Sequence, residues 1–191
     1  MSTFRKLLPS ERDQLESHYL RLDRADRTLR FFSGVTDSVI IARCRHIDWR
    51  RAHIIGAFVD GTLRGVAELQ LETPYLSHHG ELAVSVEKLW QGLGVGTELL
   101  RRALVVARNR AVRSLTMACL LDNRPMQRVA RKFADDLHLR DGTVEADIAM
   151  PFPSYLSLWE ETASDGLDYI DAMLGALART RRLSGAPGRT A

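Results

Sequence analysis

The sequence predicts an α/β fold in which helices flank a mixed central sheet. Three observations predict it: helical spacing dominates the first part of the chain, a β-hairpin follows, and strands then alternate with helices. The hairpin is indicated by Asp60-Gly61, which separates the apolar runs 53–59 and 62–71, because Asp-Gly favours a tight turn between strands. A strand at 81–86 then leads through a glycine-rich loop into a helix, so we expect this strand at the centre of the sheet.

The remaining elements follow from the spacing of apolar residues. Leu15, Tyr19 and Leu22, for example, recur at helical spacing near the start of the chain. The predicted helices are 11–22, 24–31, 36–45, 95–109 and 124–133, and the remaining predicted strands are 115–120 and 143–150. Pro151 and Pro153 close the last strand and mark a boundary, because proline cannot donate a backbone hydrogen bond to a sheet.

This boundary divides the chain into three parts. We expect a domain at 1–150, a helical extension at 151–183 and a disordered tail at 184–191, where Gly, Pro and Arg occur without periodicity. The extension must bury its apolar face on its own sheet, over a binding cleft or against a second subunit. We favour the second subunit, and therefore a homodimer, because two-fold dimers are the commonest soluble assembly.

Composition limits the class of protein. The 191 residues are 45% apolar and 27% charged, which is ordinary for a globular chain. Cys44 and Cys119 are too few for a disulfide framework and lack metal-ligand spacing, so a reducing compartment and no metal are expected. There is no signal-peptide pattern and no apolar run of the roughly 18 residues that span a membrane. We therefore expect a cytoplasmic protein that does not bind membranes.

The charge of the chain does not indicate nucleic-acid binding. The formal charge is +3, yet only three of the 27 basic residues are lysines, namely Lys6, Lys88 and Lys132. The arginines are spread over both termini and the middle, whereas a nucleic-acid footprint is clustered on one face. We therefore do not expect nucleic acid as a partner.

The segment that indicates chemistry lies between the strand at 81–86 and the helix at 95–109. It reads Gln91-Gly92-Leu93-Gly94-Val95-Gly96-Thr97. Glycines at alternate positions let the backbone approach a ligand, and the start of a helix adds free N–H donors and a positive dipole end. This combination predicts a site for a phosphate or pyrophosphate.

Two common phosphate loops do not fit this segment. A Walker loop requires a lysine where this chain has Thr97, and a dinucleotide fingerprint requires different glycine spacing near the first strand. A tight turn without a ligand is the remaining alternative, although it explains one glycine better than three. Arg101, Arg102 and Arg108 on the following helix either hold a further phosphate or form its solvated face.

Gln-x-x-Gly-x-Gly before a helix resembles the acyl-coenzyme A motif of the GNAT superfamily of N-acyltransferases. The strand Gly80–Val86, the hairpin around Asp60-Gly61 and the stretch from Asn123 to Ala130 also resemble GNAT segments. Leu29-Arg30-Phe31-Phe32 is similar to a segment of bacterial Pat-type protein lysine acetyltransferases. The resemblance covers about residues 5–150 and implies a mostly antiparallel sheet with an acyl-CoA cleft after the central strand.

The resemblance also implies a function and a set of site residues. It implies transfer of an acetyl group from acetyl-CoA to a primary amine, on a protein lysine or a small molecule, by direct attack. The pantetheine arm would pair with the backbone of Val84, Ser85 and Val86, and the pyrophosphate would bind Gln91, Gly92, Leu93, Gly94, Val95, Gly96 and Thr97. Asn123 is expected either to cap its helix or to contact the cofactor.

Glu81 is the candidate catalytic base. A glutamate in a similar context is catalytic in Pat-type enzymes, and an alkylammonium with a pKa of about 10.4 must lose a proton before it attacks. Ala130 stands where many GNAT enzymes have a tyrosine that protonates the leaving thiolate. The alternative is therefore a catalytically silent acyl-CoA-binding or scaffolding domain. Tyr75, His78 and His79 lie in the loop before Glu81, where an acceptor would enter.

Overall fold

The computed structural model describes residues 2–74, 77–134, 136–140, 142–151, 154, 158–159 and 161. Five α-helices are present in this part of the chain. They are α1 (Arg12–Arg21), α2 (Arg24–Phe31), α3 (Asp37–Arg45), α4 (Val95–Asn109) and α5 (Arg124–Ala130). The strands are β1 (Ser2–Lys6), β2 (Ala52–Val59), β3 (Thr62–Leu71), β4 (His79–Val86), β5 (Ser114–Leu120), β6 (Leu137–Arg140) and β7 (Thr143–Ala149).

The seven strands form one sheet in the order β1-β2-β3-β4-β5-β7-β6. Neighbouring strands run antiparallel except β4 and β5, which are parallel and joined by the crossover helix α4. The predicted mixed, mostly antiparallel sheet with flanking helices is therefore confirmed, and β4 lies at its centre. Two strands were missed by the sequence prediction: β1 and the short edge strand β6.

Helices cover both faces of the sheet. On one face α4 buries its apolar side, including Leu99, Leu100 and Ala103, in a cluster with the central strands. On the other face α1 and α3 bury Leu15, Tyr19 and other apolar residues in a second cluster against β2 and β3. The centre of the sheet is therefore enclosed from both sides, and a ligand can reach β4 only where the sheet opens.

The sheet opens between β4 and β5. Their ladder pairs only His79–Glu81 with Ser114–Thr116, although β4 continues to Val86 and β5 to Leu120. Beyond Glu81 the two strands diverge. The carboxyl half of β4 therefore faces a gap instead of a neighbouring strand.

Most of the predicted C-terminal extension, and all of the predicted tail at 184–191, lie outside the described residues. Glu161 is described, and its carboxylate accepts hydrogen bonds from Lys6 (2.5 Å), Asn109 (2.7 Å) and Arg110 (2.7 Å). Burial alone raises the pKa of Glu161, but Lys6 and Arg110 hold it below the ordinary value. These contacts hold Glu161 itself against β1 and the end of α4. The homodimer stays a prediction, which light scattering at micromolar concentration would test.

We expect Glu161→Gln to lower the free energy of unfolding by about 2 kcal/mol, which is typical of a lost hydrogen bond to a charged group. The change keeps the shape of the side chain and removes the charge that faces Lys6 and Arg110. Urea unfolding at pH 7 measures the difference. An unchanged free energy would show that Glu161 does not anchor the extension.

Candidate active site

A cavity of about 460 Å³ opens at the gap, between α2, the carboxyl half of β4, the glycine loop and α5. Nine of the twelve site residues predicted from the sequence line it. They are Val84, Ser85, Val86, Gln91, Gly92, Gly94, Gly96, Thr97 and Asn123. Glu81, Leu93 and Val95 do not line it.

The loop presents backbone donors at the start of α4. Gly94 is the residue before the helix, and no side chain caps it. The first N–H bonded within the helix is that of Glu98, which donates to the Gly94 carbonyl at 3.1 Å. The N–H groups of residues 95–97 therefore have no acceptor inside the helix, and the helix dipole adds positive potential there. An anionic group fits this position.

The glycines of the loop have two different roles. Gly92 and Gly94 have φ angles of 74° and 84°, in the left-handed region that glycine adopts without strain. Gly96 has no such angle, and a Cβ there would make only an ordinary contact with Val86, at 3.8 Å. The fold itself therefore does not require glycine at 96. A ligand that approaches the backbone closely would require it.

Gln91, Val95 and Leu93 of the loop have different surroundings. Gln91 Nε2 donates to the Val86 carbonyl (2.9 Å) and to Asp26 (3.1 Å), which ties the loop to β4 and α2. The side chain of Val95 is buried in the core, so Val95 offers only its backbone N–H at the start of α4. Leu93 is 67% exposed, outside the cavity. The side chain of Gln91 therefore supports the loop that would hold a phosphate.

The backbone of β4 presents open hydrogen-bonding groups to the gap. Glu87 N–H donates to the Arg64 carbonyl on β3, so the backbone of odd-numbered residues of β4 faces β3. The N–H and C=O of Val84 and Val86 therefore face the gap, where Gln91 occupies the Val86 carbonyl. An extended ligand with amide groups can pair there as an additional strand.

Asn123 is placed for both predicted roles, as the cap of α5 and as a contact to a cofactor. Its side-chain oxygen accepts from Met126 N–H at 3.1 Å and so caps α5. The same side chain lines the cavity, and no described residue accepts from its amide nitrogen. Ala130, by contrast, is buried in the core cluster around α4. The position of the missing tyrosine therefore contributes no hydroxyl to the cavity.

Cationic side chains near the loop come from α5 and its end, not from α4. Lys132 lies 3.2 Å from the Thr97 hydroxyl, and Arg128 lines the cavity with no ion-pair partner among the described residues. No sequence pattern indicates either residue, because their position depends on how α5 packs. Arg101 and Arg102 instead form ion pairs with Glu98 on the solvated face of α4.

A buried carboxylate organises the side of the cavity formed by α2. Glu68 accepts from Arg30 (2.6 Å), Arg43 (2.7 Å) and Tyr19 (3.0 Å). Burial alone raises the pKa of Glu68, but the two arginines hold it below the ordinary value, so the carboxylate stays ionised. Arg30 also lines the cavity. The cluster therefore fixes α1, α2 and α3 to the central sheet.

Glu81 lies at the point where β4 and β5 diverge. It pairs with Gln70 on β3 and Thr116 on β5, and its side chain is exposed. Side chains alternate along a strand, so Glu81 shares a face of β4 with Ser85, roughly 13 Å further along. Glu81 is therefore at the edge of the gap and not inside the cavity.

None of the remaining candidates that the structure describes lines this cavity. Cys119 and Cys44 are buried, and burial raises the pKa of each thiol, so neither is a ready nucleophile. His78 is exposed in the loop before β4, and His79 contacts the Ser114 hydroxyl. Tyr75 lies outside the described residues. Those residues contain no cluster of three possible metal ligands and no helix long and apolar enough to cross a membrane.

The features of the cavity fit an acyl-CoA. Open strand amides suit the pantetheine arm, and the free N–H groups of the loop suit a pyrophosphate. The sequence model of the acetyltransferase (GNAT) family matches residues 12–134, which is more than half of the chain. The chain belongs to the GNAT acetyltransferase family. This is a family of acyl-CoA-dependent N-acetyltransferases, and acetyl-CoA is the acyl donor that the family uses.

Solved structures share the GNAT fold. The GNAT domain of PAT from S. lividans has a TM-score of 0.66 and 22% identity, over 78% of this chain and 90% of that one. The putative acetyltransferase YncA from Salmonella typhimurium, solved with its cofactor acetyl-CoA, has a TM-score of 0.60 and 13% identity, over 81% and 96%. The ribosomal-protein-alanine N-acetyltransferase from Brucella melitensis has a TM-score of 0.59 and 18% identity, over 78% and 99%.

Proposed function

We propose that this GNAT protein transfers an acetyl group from acetyl-CoA to a primary amine by direct attack of the amine on the thioester. The observation that carries the proposal is the gap beyond Glu81, where β4 offers open backbone groups directly before the glycine loop. The acceptor is a lysine side chain of a protein or a small-molecule amine. The sequence similarity to Pat-type enzymes favours the lysine.

Each part of the site has a role in this reaction. Acetyl-CoA supplies the activated acyl group. The loop from Gly92 to Thr97, together with Arg128 and Lys132, binds phosphate groups, and Val84 and Val86 align the pantetheine arm. Glu81 accepts the proton of the incoming ammonium, directly or through a water molecule, at the edge of the gap. Holding both reactants in one geometry removes most of the entropic cost of the reaction.

A catalytically silent acyl-CoA-binding domain is the second candidate. Two observations favour it: Ala130 is buried in the core, and Glu81 lies outside the cavity. Neither excludes catalysis, because a thiol with a pKa of about 8.5 leaves without much help from an acid. Release of CoA in the presence of an amine separates the two candidates.

The test mixes purified protein with acetyl-CoA and, separately, lysine peptides, peptides with a free N-terminus and small primary amines. Calorimetry first establishes that acetyl-CoA binds. Amine-dependent CoA release, with the acetylated product identified by mass spectrometry, supports the transferase. Tight binding with no acetylated product from the whole panel supports the silent domain instead.

Glu81→Gln is expected to lower kcat by about 10²-fold at pH 7, with little change in acetyl-CoA affinity, as is typical when a general base is lost. The loss should shrink as the pH approaches the amine pKa of about 10.4, because solvent then removes the proton instead. Glu145→Gln on β7, outside the cavity, is the matched control. If Glu81→Gln turns over at the wild-type rate at every pH tested, Glu81 has only a structural role.

A further inference from the structure

Next to the cavity lies a buried hydrogen-bonded chain that the proposed roles do not use. Ser85, on β4, lines the cavity and contacts His18 of α1, with 2.9 Å between Ser85 Oγ and His18 Nε2. The other ring nitrogen, Nδ1, lies 3.3 Å from Glu87 Oε1. His18 is fully buried and does not line the cavity, and among the described residues Ser85 links it to the cavity.

The direction of the hydrogen bonds in this chain follows from Glu87. Arg21 and Arg64 each donate to Glu87 at 2.8 Å. Although burial alone raises the pKa of Glu87, hydrogen bonds from His18, Arg64 and Arg21 bring it to about 2, so it is ionised and only accepts. Nδ1 of His18 must therefore carry the proton. Nε2 is then an acceptor, and the Ser85 hydroxyl donates to it.

His18 is neutral at physiological pH. Burial lowers its pKa, and Arg21 and Arg30 add to the effect, while Glu87 opposes it. The ring of Tyr19 packs beside it at 5.4 Å and stays uncharged, because burial raises the pKa of its hydroxyl. A neutral His18 with a free Nε2 can take a proton through Ser85. This arrangement matches the serine–histidine–carboxylate geometry that draws a proton from a hydroxyl.

The proposed reaction requires two protons to leave the amine nitrogen. The ammonium loses the first before attack, and the nitrogen loses the second when the new C–N bond forms and the C–S bond breaks. Glu81 is placed for the first proton, at the edge of the gap. It is about 13 Å along the strand from Ser85, too far for the same side chain to serve a nitrogen held inside the cavity.

We propose that Ser85 accepts the second proton of the attacking amine and passes its own hydroxyl proton to His18. The C–N bond forms as the C–S bond breaks, the electron pair of the C–S bond leaves on the thiolate, and His18 becomes a cation beside Glu87. His18 returns to its neutral form when its extra proton passes to the thiolate or to solvent. Ser85 is thus a catalytic residue, and His18 and Glu87 are positioning residues that act through it. The proposal rests on the proposed amine acetylation.

Ser85→Ala is the direct test. It should lower kcat by about 10²-fold with unchanged acetyl-CoA affinity, as removal of a proton acceptor does. The loss should persist from pH 7 to pH 10, because the second proton must leave inside the bound complex whatever the state of the free amine. Glu81→Gln, measured in parallel, should recover over the same range. Ser38→Ala, on the exposed face of α3, is the matched control.

A second pair of variants keeps the test independent of stability. Ser85→Thr and Ser85→Val have nearly the same shape, and both suit a strand, but only threonine keeps the hydroxyl. We expect threonine to retain a rate within a few-fold of wild type and valine to match alanine. Wild-type turnover in Ser85→Ala, equal rates in the threonine and valine variants, or a loss that disappears at pH 10 would each overturn the proposal.

The outcome separates this proposal from the proposed function. If the wild type binds acetyl-CoA but acetylates none of the amines, the transferase assignment fails and the proton acceptor fails with it. If the wild type acetylates an amine and Ser85→Ala does so equally well, only the role of Ser85 is overturned. If activity falls and the pH dependence differs between the Ser85 and Glu81 variants as described, both are supported.

Discussion

Gly94→Val is expected to weaken acetyl-CoA binding by about 10²-fold while the chain remains folded. Gly94 has a φ of 84°, which a β-branched residue adopts only with strain of roughly 1–2 kcal/mol. A Cβ there would meet no protein atom within 4 Å, so the fold does not obstruct it. A bound phosphate would be obstructed, and losing one or two charge-assisted hydrogen bonds costs about 3 kcal/mol. Calorimetry with acetyl-CoA measures the change.

Other glycines of the chain separate the effects of strain and obstruction. Gly61 has a φ of 73° and open space around its Cβ position, but it lies in the β2–β3 turn. Gly61→Val should therefore lower stability to a similar extent and leave acetyl-CoA affinity unchanged. Gly96→Ala adds a methyl group without strain, so any loss of acetyl-CoA affinity in this variant reports obstruction alone. Gly34→Ala, outside the loop, is its control and should leave the affinity unchanged. Unchanged affinity in folded Gly94→Val and Gly96→Ala variants would contradict the assignment of the loop.

The fold was largely predictable because its strongest signals are local. The Asp60-Gly61 turn and the apolar side of α4 each depend on residues close in sequence, and both elements lie within a few residues of their predicted bounds. β1 and β6 were missed for a physical reason. They are short edge strands whose formation depends on pairing with β2 and β7, so their own residues show little periodicity.

The candidate site was predictable only where it is contiguous in sequence. The glycine loop and the end of β4 lie in one short segment, and the structure places most of that segment around the cavity. Arg128, Lys132 and His18 were not predicted, because their roles depend on how α5 and α1 pack against β4. A buried histidine in a helix has the same sequence pattern whether it contacts Ser85 or only apolar neighbours.

Glu68→Gln is expected to lower the free energy of unfolding by about 3 kcal/mol, the lower end of the range for breaking a buried ion pair. The side chain is 5% exposed, and Arg30, which it neutralises, is 8% exposed. Removing the charge leaves that guanidinium buried without a carboxylate. It also weakens the bond from Arg43, so α2 and α3 lose their common anchor on β3.

A less buried glutamate that also pairs with two arginines provides the control. Glu98 also lies between two arginines, Arg101 and Arg102, but on the solvated face of α4. Exposed ion pairs contribute about 1 kcal/mol or less, so Glu98→Gln should have a much smaller effect in guanidinium unfolding. Equal losses in the two variants would show that burial does not decide the contribution of Glu68.

The pH dependence of stability gives a second readout for Glu68. Its folded pKa lies below the ordinary value of 4.5, so its contribution is complete above that value and is lost as the pH falls through the folded pKa. Wild-type stability should therefore decline below about pH 4.5, since the unfolded chain then binds more protons than the folded one. Glu68→Gln should decline less steeply over this range. Arg101 and Arg102 also lower the pKa of Glu98, but these side chains are more exposed, so Glu98→Gln should change the slope less than Glu68→Gln does. Parallel slopes for wild type and Glu68→Gln would mean that Glu68 is not held ionised by Arg30 and Arg43.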